Sequence, residues 1–212
     1  MDLLREVSKT GDVRLTQLSR KLTIAGKTNS YQVYRIRLDL LHYNAQNDRI
    51  ATWISQYKAE HNGQLPKEDD YEAYNQIIEG FIVKSNEEAI KKTSNHIKMF
   101  GQQVAGVVLS DGLIIDGNRR FTCLRRLAKE DPAFDWIEAV ILPKEIAQDP
   151  KRIKILELNL QHAEEEKVAY DPVERLVGVY NDVIHGGLLT VEEYAKNTNI
   201  PVRDVSSMVR QA

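Results

Sequence analysis

Val107-Val-Leu-Ser-Asp-Gly-Leu-Ile-Ile-Asp-Gly-Asn-Arg-Arg-Phe-Thr-Cys-Leu-Arg-Arg-Leu127 holds three structural signals in one run. Two apolar segments, Val104–Leu109 and Leu113–Ile115, flank Ser110-Asp111-Gly112, which predicts a β-hairpin. Asp116-Gly117-Asn118 then breaks the strand, and Phe121, Leu124, Leu127 and Ala128 recur at helical spacing. Arg119 and Arg120 therefore fall in the first turn of a helix. The N–H groups there lack intrahelical partners and carry the positive end of the dipole. Two guanidiniums at that end are unfavourable for the bare helix, and a bound anion reverses the sign. It takes N–H bonds, the dipole and bidentate Arg contacts together, and Gly117 lets the backbone approach it closely. Arg125, Arg126 and Lys129 add positive charge, with no acid between Gly117 and Lys129. The run reads as a phosphate or nucleotide site or, blandly, as a solvated basic helix face.

Ile115-Asp116-Gly117-Asn118-Arg119-Arg120-Phe121 resembles the Gly-Glu-Arg-Arg box of the ParB/sulfiredoxin superfamily. It is most similar to the ParB-like (ParB/RepB partition-protein) N-terminal domain, with Asn118 where Glu is usual. The resemblance implies an α+β fold, with a small mixed sheet and flanking helices followed by an all-α helix-turn-helix segment. It also implies that Gly117, Asn118, Arg119 and Arg120 cradle the triphosphate of a nucleotide, CTP in the partition proteins, together with Mg2+.

The composition agrees with a globular protein. Of 212 residues, 42% are hydrophobic and 28% charged, and the net charge is −2. That balance implies no chain-wide electrostatic grip on DNA, so nucleic-acid binding has to come from local patches. No apolar run approaches the ~18 residues of a membrane span, and Met1–Asn29 lacks the apolar core of a secretory signal. The single cysteine, Cys123, excludes an internal disulfide and a cysteine-built metal cluster. A cytoplasmic, nucleoid-associated setting is expected.

Three regions are expected: an N-terminal arm (1–30), the nucleotide-binding domain (31–148) and a helical region (149–212). The arm is expected to hold one or two short helices on Leu3, Leu4, Val7, Val13, Leu15, Leu18 and Leu22, with Gly26–Ser30 as a linker. Tyr31–Leu41 alternates as a half-buried strand, and the polar loop His42–Arg49 follows. Together they resemble the first box of ParB-like domains, which implies that Asn44, Asn47 and Arg49 lie near the nucleotide. The alternative is turn chemistry, with Asn and Asp bonding local backbone. Helices are expected at Ile50–His61 and Tyr71–Phe81, with an insertion relative to compact ParB-like domains at about 53–84. Tyr71, Tyr74, Ile77, Ile78 and Phe81 read as core rather than as base-stacking aromatics. A capping box at Ser85-x-x-Glu88 opens a helix that Gly101 closes. Trp136–Leu142 is a strand beside the hairpin, and Pro150 starts the next helix. On that helix Ile153, Leu156 and Leu160 face inward, leaving Lys154, Glu157 and Gln161 outward.

Leu158-Asn159-Leu160-Gln161-His162 resembles the third family box, usually Glu-Asn-x-x-Arg. The resemblance implies that Asn159 contacts phosphate and metal. Leu158 and His162 replace the family's Glu and Arg, which puts metal coordination and hydrolysis in question. Asp171-Pro172 opens a further helix. Thr190-Val191-Glu192-Glu193 then forms a second capping box. Ala195, Asn199 and Val205 hold the small, αL-tolerant and apolar positions of a helix-turn-helix over about 189–210. Its second helix presents Arg203, Ser206, Ser207 and Arg210 to a major groove. Partition proteins usually continue with further helices and a dimerisation domain. The resemblance therefore implies either a chain cut at Ala212 or a shorter relative, with a homodimer as the expected assembly.

Together these features suggest a ParB-like, nucleotide-responsive DNA-binding protein, with weak NTPase activity an open question. The alternative is a nucleotide-dependent enzyme on the same fold: a phosphotransferase, NTPase or nuclease. Sulfiredoxin activity is not expected, because Asn118 and Arg119 stand where that box carries Cys and His. For a metal-dependent nuclease, Asp116 and Glu157 are the carboxylates near the boxes.

Overall fold

A computed structural model describes residues 2–7, 9, 11–24, 26–65, 71–147, 149–162, 172–198 and 200–211. After a short helix α1 (Leu3–Glu6), β1 (Val13–Ile24) and β2 (Lys27–Arg37) form a long antiparallel hairpin. Three helices follow: α2 (Ala51–Glu60), α3 (Tyr71–Ser85) and α4 (Glu87–Phe100). A second hairpin, β3 (Gly106–Leu109) and β4 (Ile114–Asp116), leads into α5 (Asn118–Ala128) and β5 (Trp136–Leu142). Among the described residues after β5 lie α6 (Pro150–His162), α7 (Pro172–Val179) running on into a π-helical turn at Tyr180–His185, α8 (Val191–Thr198) and α9 (Val202–Gln211).

The five strands form one mixed α+β sheet in the order β1-β2-β5-β3-β4. Among the described strand pairs, only β3–β5 is parallel. Period-two alternation sends each strand's apolar residues to both faces. Ile36, Val108, Ile114, Ile137, Ala139 and Ile141 pack under α2–α5 on one face. Val33, Val107, Leu109, Ile115, Val140 and Leu142 pack against Leu156 and Leu160 of α6 on the other. The opposite side of α6 then offers Ile155 and Leu158 to a third cluster with Val179, Leu189, Tyr194, Ala195 and Val205. Helix α6 is thus sandwiched between the sheet and the C-terminal helices. Among the described residues, no helix is long and apolar enough to cross a membrane.

Four expectations need correction. One short helix stands where expected, at Leu3–Glu6, but the residues that follow are not a helical arm with a linker: β1 is the edge strand of the sheet, and Gly26 (φ +76°) lies in its hairpin turn. The leucines mimicked a helix because the register shifts between Leu15 and Ser19, which resets the alternation. Leu15 and Leu18 are in fact exposed, whereas Val13 and Leu22 are buried. The cap of α4 is Asn86, whose Oδ1 accepts the Ala89 N–H at 2.8 Å, while Ser85 ends α3. Helix α6 does not turn Lys154 and Glu157 to solvent: both are 1% exposed, because the third cluster covers that side. The extra positive charge of α5 is also partly cancelled, as shown below. Asn199, Asp171, the acidic run 164–166 and the charged loop 67–70 lie outside the described residues.

Gly112 fixes the β3–β4 turn. It has φ +97°, and an added Cβ would sit 2.4 Å from the Leu40 carbonyl oxygen. Its own carbonyl accepts the His42 N–H at 3.0 Å. Gly112→Ala should therefore lower stability by at least about 2 kcal/mol in urea denaturation, whereas a change below about 0.5 kcal/mol would contradict the turn described.

Candidate phosphate-binding site

Strand β4 ends at Asp116, and the chain turns through Gly117 (φ +112°) into α5. Gly117 is the N-cap, so no side chain caps this helix end. The turn is crowded from behind. A Cβ on Gly106 would lie 2.9 Å from the Asp116 carbonyl oxygen, and one on Gly117 would meet the Arg120 guanidinium at 3.4 Å. Arg120 therefore folds back over the turn. Its Nη2 reaches Asp116 Oδ2 at 3.2 Å, and Arg20 Nη1 from β1 reaches the same oxygen at 2.9 Å. Arg20 also donates to the Ala105 carbonyl at 2.5 Å. One carboxylate thus joins two guanidiniums, with side-chain exposures of 13%, 9% and 19% for Arg20, Asp116 and Arg120. All three side chains are thus largely desolvated.

Two polar atoms at this helix end are buried without hydrogen-bond partners: Arg120 Nε and Asn118 Oδ1. Asn118 is 7% exposed. Unpaired buried polar groups of this kind carry a desolvation cost of ~1–3 kcal/mol each. Arg119 is half-buried on the same turn. Arg120 thus already holds a carboxylate, one that belongs to the box itself.

The first-box loop is pinned to α5. Thr122 gives its one hydroxyl proton to the Asn118 carbonyl at 3.0 Å, so Tyr43 is the donor in the 2.8 Å Tyr43–Thr122 bond. Burial holds the Tyr43 pKa well above its ordinary value, so the phenol keeps that proton. The Tyr43 ring meets Phe121 edge-on at 4.8 Å. From α3, Asn75 accepts the Tyr43 N–H at 3.1 Å and donates to the Leu41 carbonyl at 2.8 Å. Within the loop, Asn44 Oδ1 accepts the Gln46 N–H and Asn47 Oδ1 accepts the Arg49 N–H. Both asparagines thus do the turn work their residue type allows. Asn44 is 3% exposed and its Nδ2 has no partner. Arg49 is half-buried.

Helix α6 reaches this loop through a buried lysine. Lys154 Nζ donates to the Gln46 carbonyl at 3.1 Å and lies 3.6 Å from Glu157 and 3.3 Å from Asp182 of the π-helical turn. Asn159 is half-buried on α6, Leu158 belongs to the third cluster, and the side chains of Gln161 and His162 lie outside the described residues. Both carboxylates singled out for metal chemistry, Asp116 and Glu157, are thus engaged by cations.

Arg125 is not part of an anion-facing surface. It is 8% exposed and donates to Glu79 at 3.0 Å and, bidentately, to Glu72 at 2.9 and 3.1 Å. Burial opposes its charge, but the hydrogen bonds it donates to Glu72 and Glu79 outweigh that and raise its pKa. Lys129 sits 3.7 Å from Glu79, and Arg126 is exposed. Sequence reading missed Arg20, Tyr43 and Asn75. Only Tyr43 and Arg20 carried a signal, as a tyrosine in the first box and a cation on a half-apolar segment.

The groove-facing expectation concerns α8 and α9. Thr190 and Glu193 cap α8 reciprocally: Oε2 of Glu193 accepts the Thr190 N–H at 2.9 Å, and Oγ1 of Thr190 accepts the Glu193 N–H at 3.1 Å. Ala195 and Val205 are buried between the helices, and the Ile200 N–H bonds the Ala195 carbonyl at 3.2 Å. Arg203 and Arg210 are exposed, Ser206 and Ser207 half-buried, and Arg203 Nε contacts Asp204 at 3.2 Å.

No protein-family model matches the chain, and no curated protein sequence matches it. Among solved structures, the chain is similar to the C2221 form of a Pnob8-like ParB-N domain, at a TM-score of 0.45 and 10% identity. The similarity covers 84% of this chain and 62% of that one, so the chain spans less than two thirds of its neighbour's length.

The Arg125 network should behave as structure rather than as ligand site. Arg125→Ala strands Glu79, itself 6% exposed, and should cost about 3 kcal/mol in thermal or urea unfolding. Glu72→Ala removes a carboxylate that is 72% exposed and should cost less than about 1 kcal/mol. Equal losses from the two changes would refute this division.

Proposed function

We propose that the chain binds a nucleoside triphosphate, of CTP type with Mg2+, at the N-terminus of α5 and engages DNA through α8 and α9. The observation that carries the nucleotide half is the pair of unpartnered buried atoms, Arg120 Nε and Asn118 Oδ1, beside a helix end that no side chain caps. A phosphate oxygen accepts from Arg120 Nε and from the first N–H groups of α5, and the helix dipole favours it. Asn118 Oδ1 accepts from a hydroxyl of the ligand or from a water on Mg2+. Gly117 leaves room for that approach, and Arg119, Asn47, Arg49 and Asn159 complete the site in this reading. The ParB-like likeness of the three boxes supports the same ligand class.

The DNA half rests on the capped, closely packed α8–α9 pair, with Arg203, Ser206, Ser207 and Arg210 on the second helix. It is the reading of a ParB-like protein whose DNA contacts respond to nucleotide.

Titration calorimetry with CTP, ATP and GTP tests the site. Wild type should bind at least one of them below millimolar, and Arg120→Ala should weaken that binding at least about tenfold, the scale of one charge-assisted contact. Arg126→Ala, on an exposed part of α5, should leave it within about twofold. Absence of binding to all three at millimolar concentration would sink the nucleotide reading.

A further inference from the structure

The charge of this chain is unevenly distributed. Between Val13 and Arg37 lie six of its 29 Lys and Arg residues and none of its 31 Asp and Glu. The segment is the β1–β2 hairpin, and the rest of the chain is correspondingly acidic. Two of the six cations are already spent: Arg20 on Asp116, and Arg37 on Asp39, Asp12 and Asp135. The other four, Arg14, Lys21, Lys27 and Arg35, are exposed, and none is in an ion pair among the described residues.

The base of the hairpin is electrostatically costly as it stands. Arg14 and Arg35 are directly opposed across β1 and β2, a like-charge pair that destabilises a sheet. What offsets it is the Trp136 indole, with the two guanidiniums 4.3 and 5.3 Å from its ring centroid. The carboxylate nearest in register is Glu138, opposite Arg35, and it makes no ion pair with either arginine. An external anion would remove the repulsion. Toward the tip, Leu22 and Val33 pack toward α6, while Ser19, Lys21, Thr23, Thr28 and Ser30 stay exposed. Lys27 and Arg35 share one face of the ribbon, roughly 25 Å apart along β2, and Lys21 lies on the other face. A small anion cannot meet both ends, but a polyanion can.

We propose that the β1–β2 hairpin is a second nucleic-acid contact, gripping the phosphate backbone of duplex DNA through Arg14, Lys21, Lys27 and Arg35. A two-stranded ribbon fits the major groove, and the duplex presents one charge per ~1.7 Å of axis, enough for cations at both ends of the ribbon. The contact reads no sequence, since lysines and arginines on phosphate position rather than specify. Its four cations are distinct from Arg20 and the nucleotide site and from α9, so the proposal stands or falls independently of either.

Fluorescence anisotropy of the full chain on a random-sequence duplex, across a salt series, tests it. Lys21→Gln/Lys27→Gln should weaken binding at least about fivefold at low salt and lower the log–log salt slope by about 2. Arg14→Gln/Arg35→Gln should do the same, with a thermal melt showing that the fold is retained. Arg203→Ala/Arg210→Ala should leave the hairpin's share of the slope in place, and CTP titrations of the lysine variant should match wild type. The proposal is overturned if the lysine variant keeps wild-type affinity and slope, if wild type fails to bind duplex at low salt, or if the substitutions change only self-association in sedimentation.

Discussion

Asp116 holds the site together. Its Oδ2 accepts from Arg20, which comes from the edge hairpin, and from Arg120, which comes from the helix that follows. The edge strand is thereby tied to the turn at Gly117, and a helix N-terminus with no side-chain cap is kept beside two guanidiniums. The first N–H groups of that helix carry the positive end of its dipole and have no intrahelical partners.

The rest of the fold brings support to that point from both sides of the sheet. On one face, α3 holds the first-box loop through Asn75, and Tyr43 carries the contact onward to Thr122 and the Asn118 carbonyl. On the other, α6 reaches the same loop through Lys154. Lys154 is also bound to Asp182 in the π-helical turn that leads to α8 and α9. The residues between the first strand and α4 that look like an insertion thus have a structural use. Helix α3 brings Glu72 and Glu79 to Arg125, and so removes that arginine from the surface facing a ligand.

Much of this was legible where local signals were strong. The β3–β4 hairpin, β5, the start of α6 at Pro150 and the Thr190–Glu193 box were each set by neighbouring residues. What sequence could not show depended on distant partners. Arg20 and Asp116 are 96 positions apart, and no spacing rule joins them. Lys154 and Glu157 looked solvent-facing because their burial comes from helices much later in the chain. The leucines of β1 imitated a helical stripe only because a register shift moved Leu15 and Leu18 out of alternation. Arg125 looked like one more cation in a basic run, since its acids lie on a different helix.

A heteronuclear NMR titration of the chain with inorganic tripolyphosphate addresses the site most directly. Saturable shifts shared by the backbone amides of Asn118, Arg119 and Arg120 and by the Arg120 Nε–H are the expected result. Unmoved signals at those four groups, with shifts confined to the β1–β2 hairpin or α9, would show that the anion binds elsewhere and that the charge around Asp116 is structural only.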